Sequence, residues 1–218
     1  MQNSLSPERS MTLTQQNLAK RLHRPRVAHW HAHINGVQTT SFMADWLSNR
    51  ASLTARLMAH SQHFRVERLY QGRSMCLSDE FAEIGLSKPQ QVVGREVLLR
   101  CDDVAVVYAH TIVPLTANAQ EWPLFASLGN RSLGTTLFND PMVRRGELQF
   151  ARLSWSHPLM RRIQRCDLIQ HGIDVSPSLL ARRSVFIRHG AKLLVTEVFL
   201  PTMQDLRLVV RPNSVASR

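Results

Sequence analysis

The sequence predicts a single α+β domain on an antiparallel sheet, and three observations carry that expectation. Two pairs of β-rich runs are each joined by a short turn, as in hairpins. Helical periodicity is confined to the stretches outside those pairs, so strands and helices segregate rather than alternate. The chain has 218 residues, and at about 100–200 residues per domain that favours one domain. Hydrophobic residues make up 44% and charged residues 20%. These values lie near globular averages of about 45–50% and 25%, which excludes wholesale disorder.

Taken in order, residues 1–27 are polar and basic, with Ser6-Pro7 and Arg24-Pro25. They read as a flexible basic arm with a short helix near residues 11–22. The domain is expected over residues 28–204, with 205–218 as a C-terminal tail. Between residues 42 and 60, Phe42, Trp46, Leu47, Leu53, Leu57 and Met58 recur at helical spacing. This predicts one or two amphipathic helices broken around Asn49-Arg50, the second capped by Ser52 or Thr54. Phe64, Val66, Arg68 and Tyr70 share one face of a strand. Residues 92–100 and 104–113 read as two strong strands, with turn chemistry at Asp102-Asp103. Residues 125–138 read as helix and loop, punctuated by Gly129 and Gly134. Residues 140–181 are rich in arginine and divided by Pro141, Pro158 and Pro177, and they suggest a basic helical excursion or flap. Residues 184–188 and 193–200 form a second hairpin across His189-Gly190-Ala191.

Lys and Arg number 27 against 16 Asp and Glu, a formal charge of +11, and only Lys20, Lys88 and Lys192 are lysines. Such a charge suits phosphate or anionic substrates, because the arginine fork matches carboxylates. No nucleic-acid-binding signature accompanies it, so a nucleic-acid partner is not expected. Cys76, Cys101 and Cys166 are scattered and odd in number, which fits a reducing cytoplasm better than a disulfide framework. No run of about 18 apolar residues is present to span a membrane. Nucleophile-elbow, Walker and dinucleotide motifs are absent. His29, His31 and His33 would share a strand face, but no acid lies near them in sequence and no metal is expected.

Glu197 is the most informative residue. Both faces of its strand read as buried, with Leu193, Val195 and Phe199 on one and Leu194, Thr196, Val198 and Leu200 on the other. A carboxyl there must be paired or protonated, which is how a general acid or base is tuned. The alternative is a structural ion pair or an edge strand. Arg95 shares its face with Val93, Val97 and Leu99, and a buried guanidinium there suits a carboxylate anchor. Its alternative is a salt bridge, with Glu197 as one partner. Glu96 points to the opposite face and reads as a surface partner.

These pieces, in order, resemble chorismate pyruvate-lyases. The resemblance rests on Arg95-Glu96-Val97-Leu98-Leu99, Ile112-Val113-Pro114, Leu128-Gly129 with Ser132-Leu133-Gly134, Arg182-Arg183-Ser184, and Leu194-Val195-Thr196-Glu197-Val198-Phe199-Leu200-Pro201. Asp45-Trp46-Leu47 and Ser52-Leu53-Thr54 are similar to the family's N-terminal helices.

The resemblance implies flaps that enclose a buried ligand site, and conversion of chorismate to 4-hydroxybenzoate and pyruvate for ubiquinone synthesis. It implies a carbon–oxygen lyase that needs no cofactor or metal and holds its product tightly; a cytoplasmic monomer is expected. By the same resemblance Arg95 binds a carboxylate, the backbone N–H of Leu133 assists, Glu197 meets the 4-hydroxyl, and Leu53 joins the substrate contacts. Where the family carries an arginine before its Val-Val-Pro-like motif, this chain has His110. His110, or an arginine of the basic excursion, is therefore expected to hold the second carboxylate. The excursion is also a candidate for weak contact with anionic lipid. A second reading is a non-catalytic binder of the similar regulator ligand-domain fold.

Overall fold

The computed structural model describes residues 27–117, 121–123, 125, 128–166 and 177–206. The expected N-terminal arm, apart from its last residue, and most of the C-terminal tail lie outside the described residues.

Helix α1 spans Ser41–Ser48, and Thr40 caps it by accepting a hydrogen bond from the Met43 N–H. Met43, Trp46 and Leu47 are buried at the i, i+3, i+4 spacing of one helical face. Asn49 Oδ1 then accepts from the Ala51 N–H, a turn that separates the helices. Helix α2 spans Leu53–Ala59 and is capped by Ser52, as its sequence predicts. Leu47 and Leu57 are fully buried, each contributing about 1.5–3 kcal/mol of burial.

Among the described residues, seven strands form one antiparallel sheet. Strand β1 is Phe64–Met75, β2 Gln91–Cys101, β3 Val104–Pro114, β4 Val143–Arg145, β5 Gln149–Ser154, β6 Ser178–Arg188 and β7 Ala191–Phe199. The strand order is β1-β2-β3-β7-β6-β4, and β5 also pairs β6. Asp102 and Asp103 both take positive φ, 49° and 65°, which a two-residue hairpin turn requires. His189 and Gly190 do the same between β6 and β7, at 49° and 85°.

β1 runs past the expected Tyr70 to Met75, because β2 pairs with it along its whole length. The basic excursion is largely sheet. β4 and β5 lie on the outer side of β6, which itself begins at Ser178 rather than Ser184. Helix α3 spans Leu133–Asn139 and α4 spans Pro158–Arg165.

The two faces of the sheet bury different cores. Val66, Val97, Leu99 and Phe199 pack with Trp46, Leu47 and Leu57 under α1 and α2. Leu98, Tyr108, Ala181 and Val198 pack on the other side against Leu159, Met160 and Ile163 of α4. β7 lies between β3 and β6, so Glu197 is not on an edge strand.

Candidate active site

A cavity lies on the α1–α2 face of the sheet. Val97, Ala109, Thr111 and Val195 from β2, β3 and β7 form its floor. Leu53 and Thr54 of α2, with Leu133, Gly134, Leu137 and Phe138 of α3, line it from the helical side. Its charged lining residues are Arg95, Arg145, Arg182 and Glu197. Three guanidiniums against one carboxylate leave an excess of two positive charges.

Cross-strand register explains why Arg95 and Glu197 meet the same cavity. Arg95 pairs Thr111, Thr111 pairs Val195, and Glu197 stands two residues beyond Val195 on the same face. Two strand spacings and two residues along the strand put their backbones about 12 Å apart. Their inward-pointing side chains approach from opposite sides of an apolar floor.

Arg95 is 2% exposed. Its Nη1 donates to Gln71 Oε1 at 2.7 Å and to the Gly129 carbonyl at 2.9 Å, and its Nη2 donates to the Arg131 carbonyl at 3.2 Å. Among the described residues it has no carboxylate partner. Burial, with the charge of Arg68 nearby, lowers its pKa from the ordinary arginine value. Neutral acceptors hold this cation in place and leave its charge uncompensated, so an anion entering the cavity gains the charge-assisted bond.

Glu197 pairs with Arg182 instead of Arg95. Arg182 Nε donates to Glu197 Oε2 at 2.5 Å. Arg182 is 1% exposed, and its Nη1 also donates to the carbonyls of Trp46, Leu47 and Asn49. It therefore ties β6 and β7 to the open C-terminal end of α1, whose last carbonyls have no helical partner.

Leu53, Arg95, Leu133 and Glu197 are thus brought to one cavity, and His110 is not. His110 is buried on the opposite face, with Nε2 3.3 Å from Glu80 Oε1 and Nδ1 3.6 Å from Glu96 Oε1. The approaches are close enough for ion pairing without being aligned as hydrogen bonds. Burial alone disfavours its imidazolium, but Glu80 and Glu96 outweigh that and raise its pKa to about 9. The cause of its placement is a bulge. A two-residue turn at Asp102-Asp103 would set His110 opposite Arg95, on the cavity face. The register shifts by one between Leu99 and Arg100, so Thr111 takes that place and His110 faces Glu96.

Glu96 is likewise no surface group. It sits between His110, Tyr108 and Arg162, and despite burial these partners hold its pKa down at about 2. Among the described residues no three His, Cys, Asp or Glu side chains cluster as metal ligands. Arg145 and Arg182 were not singled out as site residues from sequence. Arg182 had a weak signal, since it shares a face with Leu180, Ser184 and Phe186. Arg145 had none.

Comparison with known proteins gives a consistent result. The family model described as chorismate lyase matches residues 25–208. A protein of Cupriavidus metallidurans named probable chorismate pyruvate-lyase is 46% identical over 177 residues, 81% of each chain. One of the same name from Ralstonia nicotianae is 48% identical over 160 residues, 73% of this chain and 82% of that one. Among solved structures, the effector domain of PhnF from Mycobacterium smegmatis has a TM-score of 0.50 and 15% identity. It covers 70% of this chain and 90% of that domain, a likeness of fold alone.

Proposed function

The chain belongs to the chorismate lyase family, and from that premise we propose that it converts chorismate to 4-hydroxybenzoate and pyruvate. The observation that carries this is the cavity itself. An uncompensated arginine and a fixed carboxylate face one apolar floor from opposite sides, with an excess of two positive charges around them. Chorismate is a dianion whose ring carries a carboxylate at one end and a hydroxyl at the other.

In this reading Arg95 anchors the ring carboxylate. The backbone N–H of Leu133, in the first turn of α3, has no helical acceptor and joins it. Leu53 packs on the ring. Glu197 accepts the hydrogen bond of the 4-hydroxyl, its other oxygen being held by Arg182. The ring then lies over Ala109 and Val195.

In the reaction the bond from the ring to the enolpyruvyl oxygen breaks. The ring carbon that bears the hydroxyl loses its proton, and the departing enolpyruvate takes up one proton to become pyruvate. Aromatisation supplies driving force, so the protein's work is orientation and stabilisation of departing charge. With Glu197 already in an ion pair, its role is to orient the hydroxyl.

We further propose that the product serves ubiquinone synthesis and that the protein works as a cytoplasmic monomer. No helix among the described residues is long and apolar enough to cross a membrane.

Turnover in variants tests the residue roles. Arg95→Ala is expected to lower kcat/KM roughly 10- to 100-fold, a charge-assisted pair being worth about 1.5–3 kcal/mol. Glu197→Gln, which keeps one acceptor oxygen, is expected to lose about tenfold. A loss in the 10²–10⁴ range there would instead mark a general base. Unchanged turnover in folded Arg95→Ala would sink the anchor role.

A further inference from the structure

We propose that Arg145 holds the second carboxylate of the substrate, the one that leaves with the pyruvate fragment. This inference rests on the lyase reading above and adds a residue that sets its specificity.

Arg145 lines the cavity from β4, where it pairs Phe186 of β6. The strand order puts Arg95 on β2 and Arg145 on β4, with Glu197 on β7 between them. Cations therefore bracket the cavity on both sides of the carboxylate. The Arg145 guanidinium lies against the rings of Phe138 and Phe186, its carbon 5.5 and 5.4 Å from their centroids. Its Nε donates to Ser184 Oγ at 3.2 Å and its Nη1 to the Arg50 carbonyl at 2.9 Å.

Those bonds fix the plane of the guanidinium and engage only part of its five-donor fork. Both acceptors are neutral. Among the described residues Arg145 has no ion pair, although Arg50 and Arg182, whose charges act on it, each have one. Burial lowers its pKa to about 10, with Glu197 opposing the shift. The two rings offset part of the cost of desolvating this cation, and an anion would offset the rest.

The other cavity cations are less able to take a second carboxylate. Arg182 is committed to Glu197 and three carbonyls. Arg95 lies on the far side of Glu197, beside Leu133. A substrate with its ring carboxylate on Arg95 and its hydroxyl on Glu197 leaves one anionic group to place, and Arg145 is the remaining fork.

4-Hydroxybenzoate keeps the ring carboxylate and hydroxyl and lacks the second carboxylate. Arg145 should therefore distinguish substrate from product, and comparing the two ligands tests that. Arg145→Met and Arg145→Lys are assayed for chorismate kinetics and, by calorimetry, for 4-hydroxybenzoate affinity. For Arg145→Met, kcat/KM for chorismate is expected to fall roughly 10- to 100-fold, mainly through KM, as for the loss of one charge-assisted pair. Product affinity should stay within about threefold of wild type, which also reports an intact fold. Arg145→Lys should recover part of the chorismate loss, since it keeps the charge without the fork.

An unchanged KM in Arg145→Met would overturn the assignment. So would equal losses of substrate and product affinity in both variants, the mark of a merely structural brace. If wild-type protein neither turns over chorismate nor binds 4-hydroxybenzoate, the lyase reading itself falls, a result distinct from either of these.

Discussion

Arg182 and Glu197 stand directly opposite each other on β6 and β7 and share a 2.5 Å charge-assisted hydrogen bond. The same guanidinium accounts for three carbonyls at the end of α1. One buried side chain thus positions the cavity's carboxylate and fastens a helix over it. Arg182→Met is expected to cost about 3–5 kcal/mol, because it leaves Glu197 and three carbonyls without the buried donor they share. Chemical denaturation measures the stability, and turnover of any folded fraction should fall as Glu197 loses its fixed orientation. A loss below about 1 kcal/mol would contradict this.

The cavity is latched where its two covering helices meet. Thr54 Oγ1 of α2 and Ser132 Oγ, just before α3, lie 2.6 Å apart. Thr54→Val keeps the shape and removes the bond, worth about 0.5–1.5 kcal/mol. Dissociation of 4-hydroxybenzoate, followed by stopped-flow displacement, is expected to quicken about two- to tenfold. An unchanged off-rate would mean the helices do not gate exit.

Gly134 belongs to the same latch, because a Cβ there would sit 2.7 Å from Thr54 Oγ1. Gly→Ala in a helix ordinarily gains about 1 kcal/mol. Here Gly134→Ala is expected to destabilise, and to become neutral or favourable when combined with Thr54→Ala. Additive effects in that double-mutant cycle would contradict the contact.

Stability should fall on the alkaline side through His110. Its folded pKa of about 9 lies above the ordinary 6.5. The protonated ring between Glu80 and Glu96 therefore stabilises fully below about pH 6.5, and that contribution is lost as pH rises through 9. Glu96 runs the other way. Its folded pKa of about 2, against 4.5, gives a contribution present above pH 4.5 and lost as pH falls through 2. Both are complete between about pH 4.5 and 6.5. Unfolding free energy is expected to drop by on the order of 3 kcal/mol between pH 6.5 and 9.5. His110→Gln should lie lower and flatter over that range, and an equally steep slope in the variant would assign the loss elsewhere.

Local features of the fold were legible in the sequence, and long-range ones were not. The Asp102-Asp103 and His189-Gly190 turns, the Ser52 cap and the break after Ser48 are written within a few residues of where they act. β4 and β5 were not legible, because three- and six-residue strands are made by pairing with β6 residues about 24 to 45 positions away. In the site, Arg95 and Glu197 stood out as charges amid apolar alternation. Arg145 lies in a basic, weakly periodic stretch that looks solvated until β6 draws it to the cavity. His110 was misplaced by one inserted residue near Val106, which no local pattern announces.

The most direct measurement is to incubate the purified wild-type protein with chorismate and quantify 4-hydroxybenzoate and pyruvate together by chromatography. Equal yields of both, well above the spontaneous rate, are expected. Folded protein that yields neither product above that rate would contradict the lyase assignment and leave the cavity a binding site.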